Sequence, residues 1–438
     1  MVAVWAVPPD NAGTMKTNTA TKTMRRSLPA FAQIVQLIPP GMVDSLAEGS
    51  RIKARRFSYE EQVFSLMLGQ LSGAFSLNEI CDTEEVHRKK LFRVRGMLPA
   101  RRNTFSNANL TRDPSVAEAL YWDTEKRFSG MSPQFVHPKQ KGRLARFRHR
   151  RIYAADSSVL CLTLKSIDWA RHRRQKAAAK LHMRCDVASR LPSFACITGA
   201  NVADGREMER LCHGLREGDI ALFDRAYSDS AALWRLDVRG VFFVVREKKR
   251  ARYRVVRSAP GSELPPNVLS DEVIFLTDPK TRKKYPGPLR RVRARVEVDG
   301  TMREMVFLTN NLEWSAATIA ELYRARWQVE LLFKELKQTL QLRDFYGENA
   351  NAVAWQIWTA LLVHLLLRWL AFCSTWHGSY TRFAGVVKAA LWERLDLMEL
   401  LKVYGTAPPP SGTGWDAKTP CLPGFERFCA RSMGQQWA

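Results

Sequence analysis

The sequence predicts a mixed α/β molecule with a helical N-terminal domain and a β-rich insertion. Three observations carry this expectation. Apolar residues recur at helical spacing over residues 31–125, short β-branched and aromatic runs fill 151–310, and helical spacing returns from Ser315 onward. With 438 residues, 46% of them apolar, the chain can bury cores for two or three domains.

Taken in order, residues 1–27 read as a flexible tail. The stretch lacks the basic start and long apolar core of a secretory signal, and translation from Met15 or Met24 stays open. In 28–136, LPAFAQIVQLI, EEQVFSLMLGQLSGAFSLNEIC and SVAEALYWDTEKRF carry the helical spacing, and PPG, RGMLPARRN and RDP punctuate it. An arginine-dense linker follows at 137–150.

The core is expected in two pieces, 151–235 and 311–375. RIYAADSSVLCL (151–162), AKLHMRCDV (179–187), PSFACITGA (192–200) and DIALFDRAY (219–227) have the length and composition of strands. The insertion, 236–310, continues with VFFVV, YRVV, EVIFL, RVRARVEV and MREMVFL between Pro, Gly and Lys turns. AVAWQIWTALLVHLLLRWLAFC (352–373) approaches the length of a membrane span, but Gln356, His364 and Arg368 interrupt it, so a buried helix is expected and no membrane partner. Residues 376–438 read as a helical region followed by an irregular tail.

Lys and Arg number 68 against 43 acidic residues, a formal charge of +25 that makes nucleic acid the leading partner. The cations cluster in KQKGRLARFRHRR (139–151), RHRRQK (171–176), EKKRARYRVVR (247–257) and PKTRKKYPGPLRRVRAR (279–295), which argues for a groove that tracks phosphates. The eight cysteines, at 81, 161, 185, 196, 212, 373, 421 and 429, show no C-x-x-C pair or zinc spacing and read as reduced thiols of a cytosolic protein.

YRARWQVELLFKELK (323–337) carries the candidate chemistry. At about 100° per residue, Tyr323, Arg326, Glu330 and Lys337 fall within roughly 60° of one another on a helix. Leu322, Val329, Phe333, Leu336 and Leu340 form the adjoining apolar face, with Glu321, Arg324, Gln328, Glu335 and Thr339 on the opposite, wet side. A carboxylate beside a core face needs compensation, and a salt-bridge network of Glu330 with Arg326 and Lys337 would supply it. Asp156 and Asp224 lie within or at the end of apolar strand runs, where a turn or cap role competes with catalysis. Three converging carboxylates would repel one another unless divalent cations such as Mg²⁺ or Mn²⁺ neutralised them. Two such ions about 4 Å apart suit phosphodiester displacement.

These residues resemble the DDE insertion-sequence transposases that bear the signature Y-x2-R-x3-E-x6-K, matched by Tyr323, Arg326, Glu330 and Lys337. DSS (156–158) and DRAY (224–227) are similar to the first and second aspartate motifs of that family, and FLTNN (307–311) fits its third block. Lys180, His182 and Asp204 resemble further, weaker positions, and are left out of the catalytic set. SLNEIC (76–81) and RRNTFSNANLTRD (101–113) are similar to a helical DNA-binding domain in one branch of the family.

The resemblance implies an RNase H-like mixed sheet flanked by helices, with Asp156 on the first strand, Asp224 after the fourth and Glu330 on a later helix. It implies Asp156, Asp224 and Glu330 as catalytic and metal-holding residues, Mg²⁺ as cofactor with Mn²⁺ as substitute, and Tyr323, Arg326, Lys337 and Arg225 as DNA contacts. Its partners would be double-stranded DNA, both element ends and target, and a second copy of the chain in a homodimeric synaptic complex. The setting would be the bacterial cytoplasm, at the nucleoid. The insertion has no tryptophan between Trp234 and Trp314, so a hairpin route of excision stays open. Two other readings remain at this point: an RNase H-like DNA nuclease without strand transfer, and a non-catalytic DNA-binding relative.

Overall fold

The computed structural model describes residues 28–406 apart from 55, 162–177, 249–250, 260–263, 299–300, 341, 343–344 and 348. Both expected tails and the RHRRQK run lie outside the described residues.

Every strand run named above forms a strand: β1 (Ile152–Cys161), β2 (Ala178–Asp186), β3 (Pro192–Gly199), β4 (Ile220–Phe223), β5 (Phe242–Arg246), β6 (Tyr253–Ser258), β7 (Val268–Leu276), β8 (Leu289–Val298) and β9 (Thr301–Thr309). They make one nine-stranded sheet in the order β3-β2-β1-β4-β5-β9-β8-β7-β6. β1, β2 and β3 pair antiparallel, β4 and β5 add in parallel, and β9 to β6 follow antiparallel. This is the mixed sheet expected of the core, with one difference in extent. The boundary at 236 falls inside the helix Ser230–Val238 and would assign β5 to the insertion, whereas β5 pairs in parallel with β4. The β-rich segment is a continuation of the core sheet, because β9 takes the free edge of β5 instead of starting a separate layer.

Among the described residues, eight helices precede the sheet: α1 (Ala30–Val35), α2 (Met42–Ala47), α3 (Tyr59–Ser72), α4 (Leu77–Val86), α5 (Arg88–Leu91), α6 (Arg102–Thr111), α7 (Ser115–Met131) and α8 (Pro133–Val136). Between strands lie α9 (Asp204–Leu211), α10 (Ser230–Val238) and α11 (Pro279–Lys284). After the sheet come α12 (Ala316–Ala325), α13 (Trp327–Lys334), α14 (Ala350–Cys373), α15 (Tyr380–Ala389) and α16 (Leu397–Thr406). Local chemistry starts several of them. Ser58 and Glu61 form a reciprocal capping box on α3, Ser315 accepts from Thr318 N–H at the start of α12, and Asn349 accepts from Ala352 N–H at the start of α14.

Strand alternation divides the packing. Ile152, Ala154, Ile220 and Leu222 belong to the large core shared with α12–α14 and the N-terminal helices, whereas Tyr153, Ala155, Ala221 and Phe223 pack with Met208 and Leu211 of α9 and Leu233 and Leu236 of α10. The long apolar helix α14 is buried, as expected, against α7, α3 and α6, and its Trp355 indole donates to the Arg112 carbonyl at 3.1 Å. Helices 28–136 therefore share one continuous core with α14.

Trp369 fixes this junction. It is fully buried, stacks on Phe128 of α7 at 4.4 Å between ring centroids and meets Phe135 edge-on at 5.0 Å. Trp369→Ala is expected to cost about 3–5 kcal/mol through lost burial and the cavity left behind. Urea unfolding followed by far-ultraviolet circular dichroism measures it.

Candidate active site

The register of two parallel strands brings the aspartates together. Ala155 on β1 is level with Phe223 on β4, so the next residues lie side by side, Asp156 in the middle of β1 and Asp224 just past the end of β4. Parallel strands lie about 4.8 Å apart, and residues at the same level point to the same face. By alternation that face is the one carrying Ala154 and Leu222, covered by α12 and α13. The sheet therefore aims both carboxylates at the helix that bears Glu330.

The expectation of one regular helix over 323–337 is corrected. It breaks at Arg326, whose N–H donates to the Tyr323 carbonyl at 3.0 Å and whose carbonyl accepts from Val329 N–H at 3.1 Å, and it widens into a π turn at Glu335–Thr339. The four signature residues still meet β1 and the end of β4. Tyr323 donates its hydroxyl proton to Asp224 Oδ1 at 3.1 Å. Arg326 donates from Nη1 to Asp156 Oδ2 at 2.9 Å and from Nη2 to Glu330 Oε1. Lys337 donates to the Val159 carbonyl of β1 at 3.1 Å. Arg225 follows Asp224 in a single 3₁₀ turn, half-buried, and its Nε has no hydrogen-bond partner among the described residues.

Glu335 and Thr339 do not face water. Glu335 accepts from Arg368 at 2.6 Å and lies 3.0 Å from His364 Nε2, both on α14, and Thr339 is buried, because α14 and α15 pack across the side of the π turn that a free helix would expose.

Electrostatics follow from this packing. Burial pushes the Asp156 carboxyl up from the ordinary 3.8 to about 6, with the charges of Glu330 and Asp224 adding to the rise and Arg326 opposing it. Burial likewise pushes the Tyr323 hydroxyl up to about 12, with Asp224 adding to the rise. It therefore remains a donor at neutral pH. Among the described residues, no three His, Cys, Asp or Glu side chains form a ready-made metal cage, because Arg326 stands between Asp156 and Glu330. The donor chemistry nevertheless suits a hard cation: three carboxylates converge, and one guanidinium is shared by two of them.

A tryptophan and two arginines beside the signature escaped the sequence reading. Trp327, 43% exposed, lines a cavity of about 680 Å³ with Tyr323, Arg326, Glu330, Arg246 and Arg303. Its position directly after Arg326 was visible, but its exposure depends on the break in the helix. On the other side of β1, Ser157 donates to Asp204 Oδ1 at 2.6 Å, and Lys180 donates to the same oxygen at 3.2 Å. Asp204 thus braces the strand beside Asp156. His182 is fully buried against Thr198 at 3.0 Å, a structural placement.

A family model described as Transposase DDE domain matches residues 145–366. The chain belongs to the DDE transposase family. A second model, for a domain of unknown function (DUF4372), matches residues 26–94. The chain is 32% identical over 251 residues to the putative transposase y4zB of Sinorhizobium fredii, covering 56% of this chain and 67% of that protein. It is 29% identical to the probable transposase for insertion sequence element IS5377 of Geobacillus stearothermophilus, covering 49% of this chain and 55% of that one. It is 25% identical to transposase InsG for IS4 of Escherichia coli, covering 43% of each. A solved piggyBac transposase synaptic complex with hairpin DNA aligns over 93% of this chain at a TM-score of 0.40 and 11% identity, too distant to bear on the site.

The raised Asp156 carboxyl gives a pH signature. Between about pH 4 and pH 6 the folded protein holds a proton that the unfolded chain has released, so this group's contribution to stability declines as pH rises through that window. Asp156→Asn should lack the slope. In metal-free buffer it is expected to be more stable than the wild type at pH 7.5, by on the order of 2 kcal/mol, and to match it near pH 4. Denaturant titrations across that pH range check both ends.

Proposed function

We propose that the protein is a DNA transposase that cuts the ends of an insertion sequence and joins them to target DNA, using Asp156, Asp224 and Glu330 as its catalytic carboxylates. The observation that carries this reading is the convergence of those three acids through Tyr323 and Arg326, where the middle of β1 lies beside the end of β4. Membership of the DDE transposase family and a formal charge of +25 support it.

Asp156, Asp224 and Glu330 would hold Mg²⁺, with Mn²⁺ as a substitute, since all three offer hard oxygen donors. Bound there, such ions would activate a water or 3′-hydroxyl and stabilise the leaving oxygen in phosphodiester displacement. The chain's own residues do the rest. Tyr323 fixes the orientation of Asp224 by its hydrogen bond. The Arg326 guanidinium, no longer needed to neutralise Asp156 and Glu330, is suited to bidentate contact with a DNA phosphate. Lys337 and Arg225 add point charges for the same strand. Helices 28–136 bind the element end, and a homodimer brings two ends together at the nucleoid of a bacterial cytoplasm.

Glu330→Gln keeps the shape of the side chain and removes its charge. Cleavage and joining of a donor end in Mg²⁺ are expected to fall to background, while end binding by gel shift stays at the wild-type level. An active Glu330→Gln protein would overturn the assignment. Wild-type protein that hydrolyses ends and never yields a joined product would remove strand transfer.

A further inference from the structure

An open pocket of about 470 Å³ adjoins the catalytic cavity and shares Arg324 and Gln328 with it. Its walls come from the linker 137–150, the turn between β2 and β3, and the α12–α13 junction. Lys139, Lys141, Arg143, Arg190 and Arg324 line it. The acid in its wall, Glu321, already pairs with Arg146 and lies 3.9 Å from Arg143. The pocket is therefore strongly cationic.

Arg190 is the telling residue. It sits in the β2–β3 turn at φ +58°, in the left-handed region that favours glycine. A non-glycine side chain there costs on the order of 1 kcal/mol. Among the described residues its guanidinium makes no hydrogen bond or ion pair to repay that strain, although its backbone N–H donates to the Asp186 carbonyl at 2.9 Å. The carboxylate whose charge reaches it, Glu335, is already held by Arg368 and His364. A half-buried, unpaired guanidinium on a strained backbone, facing a pocket of cations, fits an anionic ligand that comes from outside the protein.

We propose that this pocket binds a backbone phosphate of duplex DNA as the strand leaves the catalytic cavity, with Arg190 as its anchor and Arg324 bridging the two sites. The proposal rests on the transposase reading for its choice of polyanion. The phosphate can belong to the element end or to the target, and the chemistry is the same.

Arg190→Gly tests it, because glycine suits φ +58° and takes the guanidinium away with the rest of the side chain. Arg324→Ala, on the exposed side of α12, is the second variant. Binding is measured by fluorescence anisotropy over a salt series with two probes, a random-sequence duplex and a duplex carrying the DNA that borders the coding region. Arg190→Gly should melt at or above the wild-type temperature and bind several-fold more weakly. Its plot of log affinity against log salt should be shallower by about one for the lost phosphate contact. Arg324→Ala should shift in the same direction. Weakening on both probes marks any duplex backbone as the ligand, and weakening on the bordering-DNA probe alone marks the element end. Wild-type affinity and slope in both variants would overturn the proposal, as would an unfolded Arg190→Gly, which would make Arg190 a structural residue. A wild-type protein that binds neither duplex would instead defeat the transposase reading.

Discussion

The site depends on the Arg326 guanidinium, which joins Glu330, four residues further on, to Asp156, 170 residues back in the chain. Asp156 arrives on a strand and Glu330 on a helix, and both are shielded enough from water that their mutual repulsion is weakly screened. A planar cation with divergent N–H groups can satisfy both at once, which a lysine cannot do with the same geometry. Asp224 is served differently, by the neutral hydroxyl of Tyr323. Two of the three acids thus share one guanidinium, and the third is held by a neutral hydroxyl. On the function proposed above, a divalent cation would add to the charge that one guanidinium supplies.

The sheet explains why these residues meet. Parallel pairing of β1 and β4 fixes the two aspartates level with each other, and alternation fixes their face. β9 then supports the helix from the far side of β5: its Phe307 ring lies 4.6 Å from the Tyr323 ring. The β-rich segment is therefore part of the support for the site and not only an appendage. A slip of one residue between β1 and β4 would turn one aspartate away from Glu330 and leave Arg326 with a single partner.

Much of this was legible in the sequence. The nine strand runs were visible because short β-branched and aromatic segments between turn residues have few other solutions. The four-residue signature was visible because helical spacing aligns it. Three features were not. The break at Arg326 and the π turn at Glu335 arise from tertiary contacts, since Glu335 is drawn to Arg368 and His364 on a helix distant in sequence. The joining of the β-rich segment to the core sheet depends on which edge β9 pairs with, and periodicity carries no information about partners. The cation between the carboxylates was foreseen on the Glu330 side, at i,i+4, but its reach to Asp156 is a matter of register.

The surplus of basic residues also divides once the fold is known, and the division changes what the charge means. In the PLRRVRAR run, Arg290 is buried and bidentate to Asp271 at 2.6 and 2.7 Å, and Arg291 bridges Glu247 and Glu272 at 3.0 and 3.1 Å. Arg184 and Arg112 are likewise buried and donate to backbone carbonyls. These cations are neutralised or consumed as hydrogen-bond donors within the protein, and contribute little to the field a phosphate would meet at the surface. Charged runs in a sequence therefore overstate some parts of a binding surface. By the same reasoning, a single arginine in a short turn can matter more than a run, provided that it lacks an internal partner and faces a concave wall of like charge. Counterion release depends on the cations that phosphates can reach, not on the formal total of +25.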